Sequence, residues 1–311
     1  MDVPASASFG RRLSARVAER ESPLVLGLDP DPQRLWPAAA PAGAGADTPA
    51  QAAAAAVAAH CEALIDAAGP ACVAVKPQLA CFERLGAPGW AALERILAHA
   101  RAAGLLLVAD GKRGDVPVTA AAYAQSLVGA TPTPFGPVSG LGVDAFTVNP
   151  LLGVDALAPL LDAAAGAGAG VFVLVRTSNP GAADIQDLPV EDAPLWERLA
   201  ALVDRLGADA APDEEIAPVG AVTGATAPEH LARMRELMPR APFLLPGVGA
   251  QGGRVEALAP AFAPGPAGGL ITASRSIALA HEQGAGDPAS AARAEAERLR
   301  AEAWELASRV R

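Results

Sequence analysis

Lysine is almost missing from this chain. Of 24 basic residues only Lys76 and Lys112 are lysines, and arginine fills every other basic position. Codon bias with chance survivors is one explanation. The other is that these two positions require a compact ammonium with a tunable pKa, which a guanidinium cannot supply. Cysteine is equally sparse. Cys61, Cys72 and Cys81 form no CxxC pair, which fits a reduced compartment and small buried apolar roles. Basic charge is in deficit, 24 Lys+Arg against 34 Asp+Glu for a net charge of −10. That disfavours a general nucleic-acid or anionic-membrane binder, yet leaves room for a local basic pocket that takes a small anion. The segment MDVPASASFGRR has no apolar signal core. Stretches 49–59 and 163–175 are Ala/Gly-rich and fall short of the ~20 apolar residues of a membrane-spanning helix. The expectation is a soluble, cytoplasmic protein with neither a nucleic-acid nor a membrane partner.

What is abundant is apolar sequence. Hydrophobic residues make up 51% of the 311 positions and charged residues 19%, enough to bury a large core and too much for global disorder. Short apolar runs recur at 24–29, 72–76, 105–110, 143–148, 171–177, 217–222, 242–246 and 268–273. Most are apolar on both faces, as strands of a covered parallel sheet must be. Helical or Ala-rich segments at 50–67, 88–102, 116–128, 154–165, 193–206, 228–238 and 253–261 separate them. The alternation predicts a (β/α)8 TIM barrel, an α/β fold. It is expected as a single domain over 1–311, with a barrel core at about 22–285 and extra helices at 8–20 and 288–309. A doubly wound open sheet is the structural alternative. Segments 38–50 and 129–141 read as loops or insertions.

A barrel gathers its chemistry at the C-terminal ends of its strands. Those ends carry Asp29, Lys76, Asp110-Gly-Lys112-Arg-Gly-Asp115, Asn149, Thr177-Ser178-Asn179, Gly247–Gly252 and Ser274-Arg275. Both lysines fall there. Strand alternation points Asp110 and Lys112 the same way, and Lys76 on the neighbouring strand can lie on the other side of Asp110. An interleaved array of Lys76, Asp110, Lys112 and Asp115 results. Each adjacent pair is worth ~4 kcal/mol at ~4 Å and an effective dielectric of about 20, before desolvation. A salt-bridge cluster that only satisfies buried charge has the same signature, and Asp115 could instead cap the helix that begins near Val116-Pro117. Gly247–Gly252 matches G-x-G-x-x-G, but it follows the seventh strand, and Arg275 ends the eighth. That favours a single phosphate over a dinucleotide, with a Gly-rich turn beside a surface arginine as the plain alternative. Asp29 and Asp31 suit a divalent ion, a ribose or a turn. The four histidines lie in or beside helices, which argues against histidine as metal ligand or base. Tyr123 and the tryptophans lack a stacking pattern.

Together D-x-K-x-x-D at 110–115 followed by V-P-V-T, T-S-N-P-G at 177–181, P-G-V-G-A-Q-G-G at 246–253 and S-R-S at 274–276 resemble orotidine 5′-phosphate decarboxylase. LGLDPDP, VKPQLACFERLG and DGKRGD resemble its longer bacterial subgroup (type 2). Gly111 and Val116 stand where the resemblance leads one to expect Ala and Ile. The resemblance implies a carboxy-lyase of pyrimidine biosynthesis that converts orotidine 5′-monophosphate to UMP and CO2 without metal or organic cofactor. It implies Lys76, Asp110, Lys112 and Asp115 as the catalytic array, Lys112 donating the proton. Asp115 and Thr119 would be supplied by the partner of a homodimer with shared active sites. Asp29 and Thr119 would hold the ribose, Ser178 the pyrimidine amide edge, and Gly249, Gln251 and Arg275 the phosphate. The alternatives are a Mg-dependent sugar-phosphate decarboxylase or aldolase of the same barrel superfamily, a Schiff-base aldolase, and a non-catalytic nucleotide-monophosphate binding protein.

Overall fold

Eight short strands, each apolar on both faces, close on one another in the computed structural model, which describes residues 7–249, 252–284 and 286–309. They are β1 (Leu24–Leu28), β2 (Ala74–Pro77), β3 (Leu106–Arg113), β4 (Ala145–Val148), β5 (Gly170–Arg176), β6 (Val219–Thr223), β7 (Phe243–Pro246) and β8 (Gly269–Ala273). All neighbours pair in parallel in the order β1-β8-β7-β6-β5-β4-β3-β2, and β1 returns to β2. The fold is a (β/α)8 barrel. Around it pack α1 (Phe9–Arg20), α2 (Pro49–Ala68), α3 (Ala87–Ala102), α4 (Pro117–Leu127), α5 (Val154–Ala167), α6 (Leu195–Ala210), α7 (Leu231–Leu237) and α8 (Pro288–Arg309). The stretch Pro49–Ala71 is long and apolar enough to cross a membrane by length and composition, and 61% of that window is packed inside the protein.

Strand alternation divides the core in two. Leu24, Leu26 and Leu28 face the helical shell, whereas Val25, Val108, Phe172, Val222, Leu244 and Leu270 fill the barrel. Helix α1 closes the N-terminal end. Phe9 meets Phe172 edge-on with ring centroids 5.8 Å apart. A Cβ at Gly170 would sit 2.3 Å from the Phe9 ring, so the first position of β5 has to be glycine for the plug to seat. Arg12 pairs with Asp144, whose other oxygen accepts the Leu107 N–H at 2.8 Å. With this end sealed, the chemistry is left to the opposite mouth.

One buried cation braces the far side of the shell. Arg235 donates to the carbonyls of Met238, Ala241, Ala261 and Gly268 at 2.7–3.0 Å, and its guanidinium lies 3.8 Å over the Phe243 ring. Burial lowers its pKa to about 9, which still leaves it charged at neutral pH. It ties the C-terminal end of α7 to the segment leading into β8.

Three connections differ from the sequence reading. Segment 253–261 forms a 3-10 helix, Val255–Phe262, with Pro260 inside it. Segment 129–141 holds a two-stranded hairpin pairing Ala130 with Ser139 and Thr131 with Val138. Within 38–50 a 3-10 turn, Pro37–Gly43, leads into α2, whose N-cap Thr48 accepts from the Gln51 N–H with Pro49 in the first turn.

At the mouth, loop 29–36 is fastened to α2 by His60. The Trp36 N–H donates to His60 Nδ1 at 3.1 Å, so the ring proton resides on Nε2. Burial first, and neighbouring His281 second, lower the His60 pKa from 6.5 to about 4. The unfolded chain therefore binds this proton at a higher pH than the folded chain does. The stabilisation is complete above about pH 6.5 and is lost as pH falls toward 4. Between pH 7 and 4.5 the wild type should lose about 2–3 kcal/mol that His60→Gln retains. Chemical unfolding of both proteins at the two pH values checks this.

Candidate active site

Strands β2 and β3 bring two ammonium groups onto one carboxylate. Lys76 Nζ lies 2.6 Å from Asp110 Oδ2, and Lys112 Nζ lies 2.6 Å from Asp110 Oδ1. Gln78 adds an amide 3.3 Å from Oδ2, and the Thr147 hydroxyl sits 2.9 Å from Oδ1. Asp29 approaches Lys76 at 4.0 Å from the other side. The two lysines differ in environment: the Lys76 side chain is 5% exposed, that of Lys112 41%.

The charges follow from this geometry. Burial opposes ionisation of Asp110, but Lys76 and then Lys112 outweigh it and hold the carboxyl well below the usual carboxylate range. Burial likewise works against the Lys76 ammonium, and Asp110 with Asp29 more than offsets it, so the net shift is upward. Both groups stay charged across the neutral range. Lys112 reaches Asp110 by an irregularity rather than by regular alternation. The β3–β4 register shifts between Ala109 and Arg113, and Lys112 has a left-handed backbone, φ 47°. Gly111 has its own cause, since a Cβ there would lie 2.7 Å from Leu79 and 3.0 Å from the Arg113 guanidinium. That guanidinium is held by Glu83 and stacks on Tyr123.

Asp29, Lys76, Asp110, Lys112 and Ser178 line one cavity of about 480 Å³, together with Gln78 and Thr147, a volume in the range of small-molecule sites. Its apolar wall is Leu174, Val222, Leu244 and Pro246, and residues 177–186 cover one side. Arg176 anchors that cover through a two-pronged pair with Asp187 at 2.8 and 3.0 Å. Arg275 lines an adjoining cavity of about 250 Å³ with Asp29, Arg34 and His60. Among the described residues no three His, Cys, Asp or Glu side chains converge as a metal centre.

A family model described as "Orotidine 5'-phosphate decarboxylase / HUMPS family" matches residues 22–294. The chain belongs to this family. It is similar to a Rhodopirellula baltica protein named orotidine 5′-phosphate decarboxylase, 38% identical over 89% of this chain and 90% of that one. A Deinococcus radiodurans protein of the same name is 47% identical over 70% of this chain and 75% of its own. The solved structure of Leishmania donovani OMP decarboxylase superposes with a TM-score of 0.71 at 34% identity, covering 96% of this chain and 98% of that one.

Against the pattern expected of an orotidine 5′-phosphate decarboxylase family member, the structure gathers some site residues and disperses others. Asp115 does not join the array within its own chain. Its Oδ1 accepts the Val116 N–H at 2.7 Å, and among the described residues it has no cationic partner. Nor does it cap α4, whose N-cap position is Val116 with Pro117 following. Thr119 lies on α4, outside both cavities. Gln251 lies outside the described residues. The loop around Gly249 corrects one expectation. The N–H groups of Gly249, Gly252 and Gly253 bond to the carbonyls of Gly253, Gly249 and Gly247 at 2.9–3.0 Å, so these amides are engaged inside the loop and are not aimed at a phosphate. Gly249 matters for its φ of +76° and its missing side chain, since a Cβ would press on Ser276 at 3.0 Å. Asn149 turns out to brace its own loop by accepting the Leu151 N–H.

Sequence reasoning missed Thr147 and Gln78. The signal for Thr147 was a lone hydroxyl in the apolar run Ala145–Val148, two residues from the inward Ala145 and so on the same face. Asp110→Ala would leave the buried Lys76 ammonium without its counter-charge, and should destabilise the protein by about 3–5 kcal/mol. Because the folded carboxyl titrates below its unfolded value, the wild-type advantage should be full above about pH 4 and shrink as pH falls further. Because the Lys76 ammonium is raised, the upper edge should come only above about pH 10. Urea unfolding of both proteins from pH 2.5 to about 12 tests the magnitude and both edges.

Proposed function

We propose that this protein decarboxylates orotidine 5′-monophosphate to UMP and CO2, with Lys112 as the proton donor. The observation that carries the reading is the asymmetry of the two lysines: Lys76 is sealed against one oxygen of Asp110, while Lys112 bonds the other and stays open to the cavity. In the proposed step the bond from C6 to the carboxylate breaks and its electron pair remains on C6. Carbon dioxide departs, and a proton passes from Lys112 Nζ to C6. The neutral amine then regains a proton from water. The ammonium also stabilises the charge that develops on C6. Asp110, held ionised by its two cations, repels the substrate carboxylate and keeps Lys112 aimed. No metal or organic cofactor takes part. Asp29 holds the ribose and Ser178 the pyrimidine amide edge, while Gln251 and Arg275 take the phosphate, whose binding orients the ring remotely.

A homodimer completes the site in this reading. Asp115 and Thr119 serve the neighbouring subunit, Asp115 as the fourth member of the array. Support comes from Asp115, whose Oδ1 accepts the Val116 N–H and which makes no ion pair with Lys76 or Lys112 of its own chain, and from the exposed apolar Val116, Val118, Leu151 and Leu152 nearby. The Mg-dependent alternative within the superfamily requires a carboxylate at the end of β2 to hold the cation, and Lys76 stands there instead.

Loss of orotidine monophosphate absorbance should follow addition of the protein, equally with and without chelator. Lys112→Ala should lower kcat by about 10²–10⁴-fold. A wild-type protein inert in both conditions overturns the assignment, and UMP binding without turnover makes the chain a nucleotide-binding protein. Mixing Lys112→Ala with Asp115→Ala protein should restore part of the activity through hybrid dimers. No recovery despite demonstrated subunit exchange would place Asp115 within its own site.

A further inference from the structure

Three non-glycine residues among those described have positive φ: Glu21, Lys112 and Glu191. Glu21 caps the end of α1, and Glu191 lies in the tip of a two-stranded hairpin. These are ordinary places for left-handed backbone. Lys112 is the exception, because it lies within a barrel strand. Such a conformation costs about 1–3 kcal/mol and persists only when its surroundings over-determine it.

What over-determines it is a single hydroxyl. The β3–β4 ladder is interrupted between Ala109 and Arg113, and there the Lys112 N–H donates to Thr147 Oγ1 at 2.8 Å. The backbone N–H can only donate, so the hydroxyl accepts from it and its own proton is free for Asp110 Oδ1, 2.9 Å away. The same oxygen receives the Lys112 ammonium at 2.6 Å. The contacts form a closed ring that runs from the Lys112 N–H to the hydroxyl, on to the carboxylate and back through the Lys112 side chain. Thr147 is 1% exposed and in register with Phe172, whose ring fills the barrel. Its second branch, the methyl group, is held by packing, which fixes the hydroxyl direction.

We propose that Thr147 is a positioning residue for the reaction, its hydroxyl holding Lys112 in the turned-out backbone that aims the ammonium into the cavity. The proposal rests on the reading of Lys112 as proton donor. A valine has nearly the same shape but can neither accept from the Lys112 N–H nor donate to Asp110. Freed of the ring, Lys112 should return to extended backbone and its Nζ should leave Asp110.

Thr147→Val and Thr147→Ser are compared with wild type by steady-state kinetics, UMP titration and crystallography. In the valine variant kcat should fall about 10- to 100-fold, while KM and UMP affinity stay within about threefold, and serine should restore kcat to within about threefold of wild type. The crystal structure of Thr147→Val should show Lys112 with negative φ and its Nζ displaced from Asp110. Unchanged kcat in an active protein, equal losses in kcat and UMP affinity, a serine variant as impaired as valine, or an unmoved Lys112 would each overturn the proposal. If valine does not fold, Thr147→Ala carries the same comparison. Wild-type protein inert toward orotidine monophosphate would sink the decarboxylase reading, and the position of Lys112 would then still decide the role of Thr147.

Discussion

One carboxylate shared by two ammonium groups governs the mouth of this barrel. Asp110 is 8% exposed on its side chain and has a cation on each oxygen. Carrying a charge that deep is costly, and only partners at hydrogen-bond distance offset the lost hydration. The surrounding elements are arranged to keep those partners in reach. β2 delivers Lys76 from one side, the irregular end of β3 delivers Lys112 from the other, and β4 contributes a hydroxyl beneath the second oxygen. The Lys76–Asp110–Lys112 unit by itself carries one net positive charge at the edge of a cavity with an apolar wall, and Asp29, 4.0 Å from Lys76, faces it.

The rim can be this demanding because the rest of the barrel is rigid. Phe9 seals the opposite end, the interior is filled by Phe172, Leu244 and Leu270, and Arg235 locks the return from α7 toward β8. Local economies at the mouth follow the same logic. A Cβ at Gly27 would sit 1.8 Å from Ser274 Oγ, so the glycine lets the end of β8 fold over β1 and carry Arg275 to the rim beside Asp29. Close packing of this kind lets neighbouring strands set side-chain positions to a fraction of an ångström.

The barrel was readable because its signal is redundant. Eight apolar runs, each followed by a helical segment, leave few other ways to bury both faces, and strand ends name the rim directly. Lys76, Asp110 and Lys112 came from that reading as neighbours, with Lys76 on the other side of Asp110, but which oxygen each ammonium takes did not. What stayed hidden depends on departures from regularity. Alternation alone puts Lys112 on the same face as Asp110, whereas in the structure a register shift and a left-handed residue bring them together. Nothing in DGKRGD announces that conformation, because a lysine is among the residues that seldom adopt it. Thr147 was overlooked for the reverse reason, since a threonine suits any strand. The glycine loop looked like a phosphate cradle from its spacing, but spacing does not reveal which carbonyls its amides already serve. Among the described residues Asp115 meets no cation of its own chain, and sequence adjacency made it look like a member of the local array.

The scarcity of lysine can now be given a physical account that arginine bias alone does not provide. Lys76 brings a single nitrogen to 2.6 Å from Asp110 Oδ2, with Asp29 at 4.0 Å, in a space that leaves its side chain 5% exposed. A guanidinium is planar and forked, and it prefers to take both oxygens of a carboxylate at once. An arginine at position 76 would therefore compete with Lys112 for Oδ1 and break the division of the two oxygens between two cations. At position 112 the argument is chemical. In the proposed reaction Lys112 gives up a proton and recovers it from water, which requires a conjugate base that exists in a protein; a lysine has one and an arginine does not. Arg176, paired with Asp187, and Arg235, bonded to its carbonyls, need only charge or a fork of donors, and arginine supplies both.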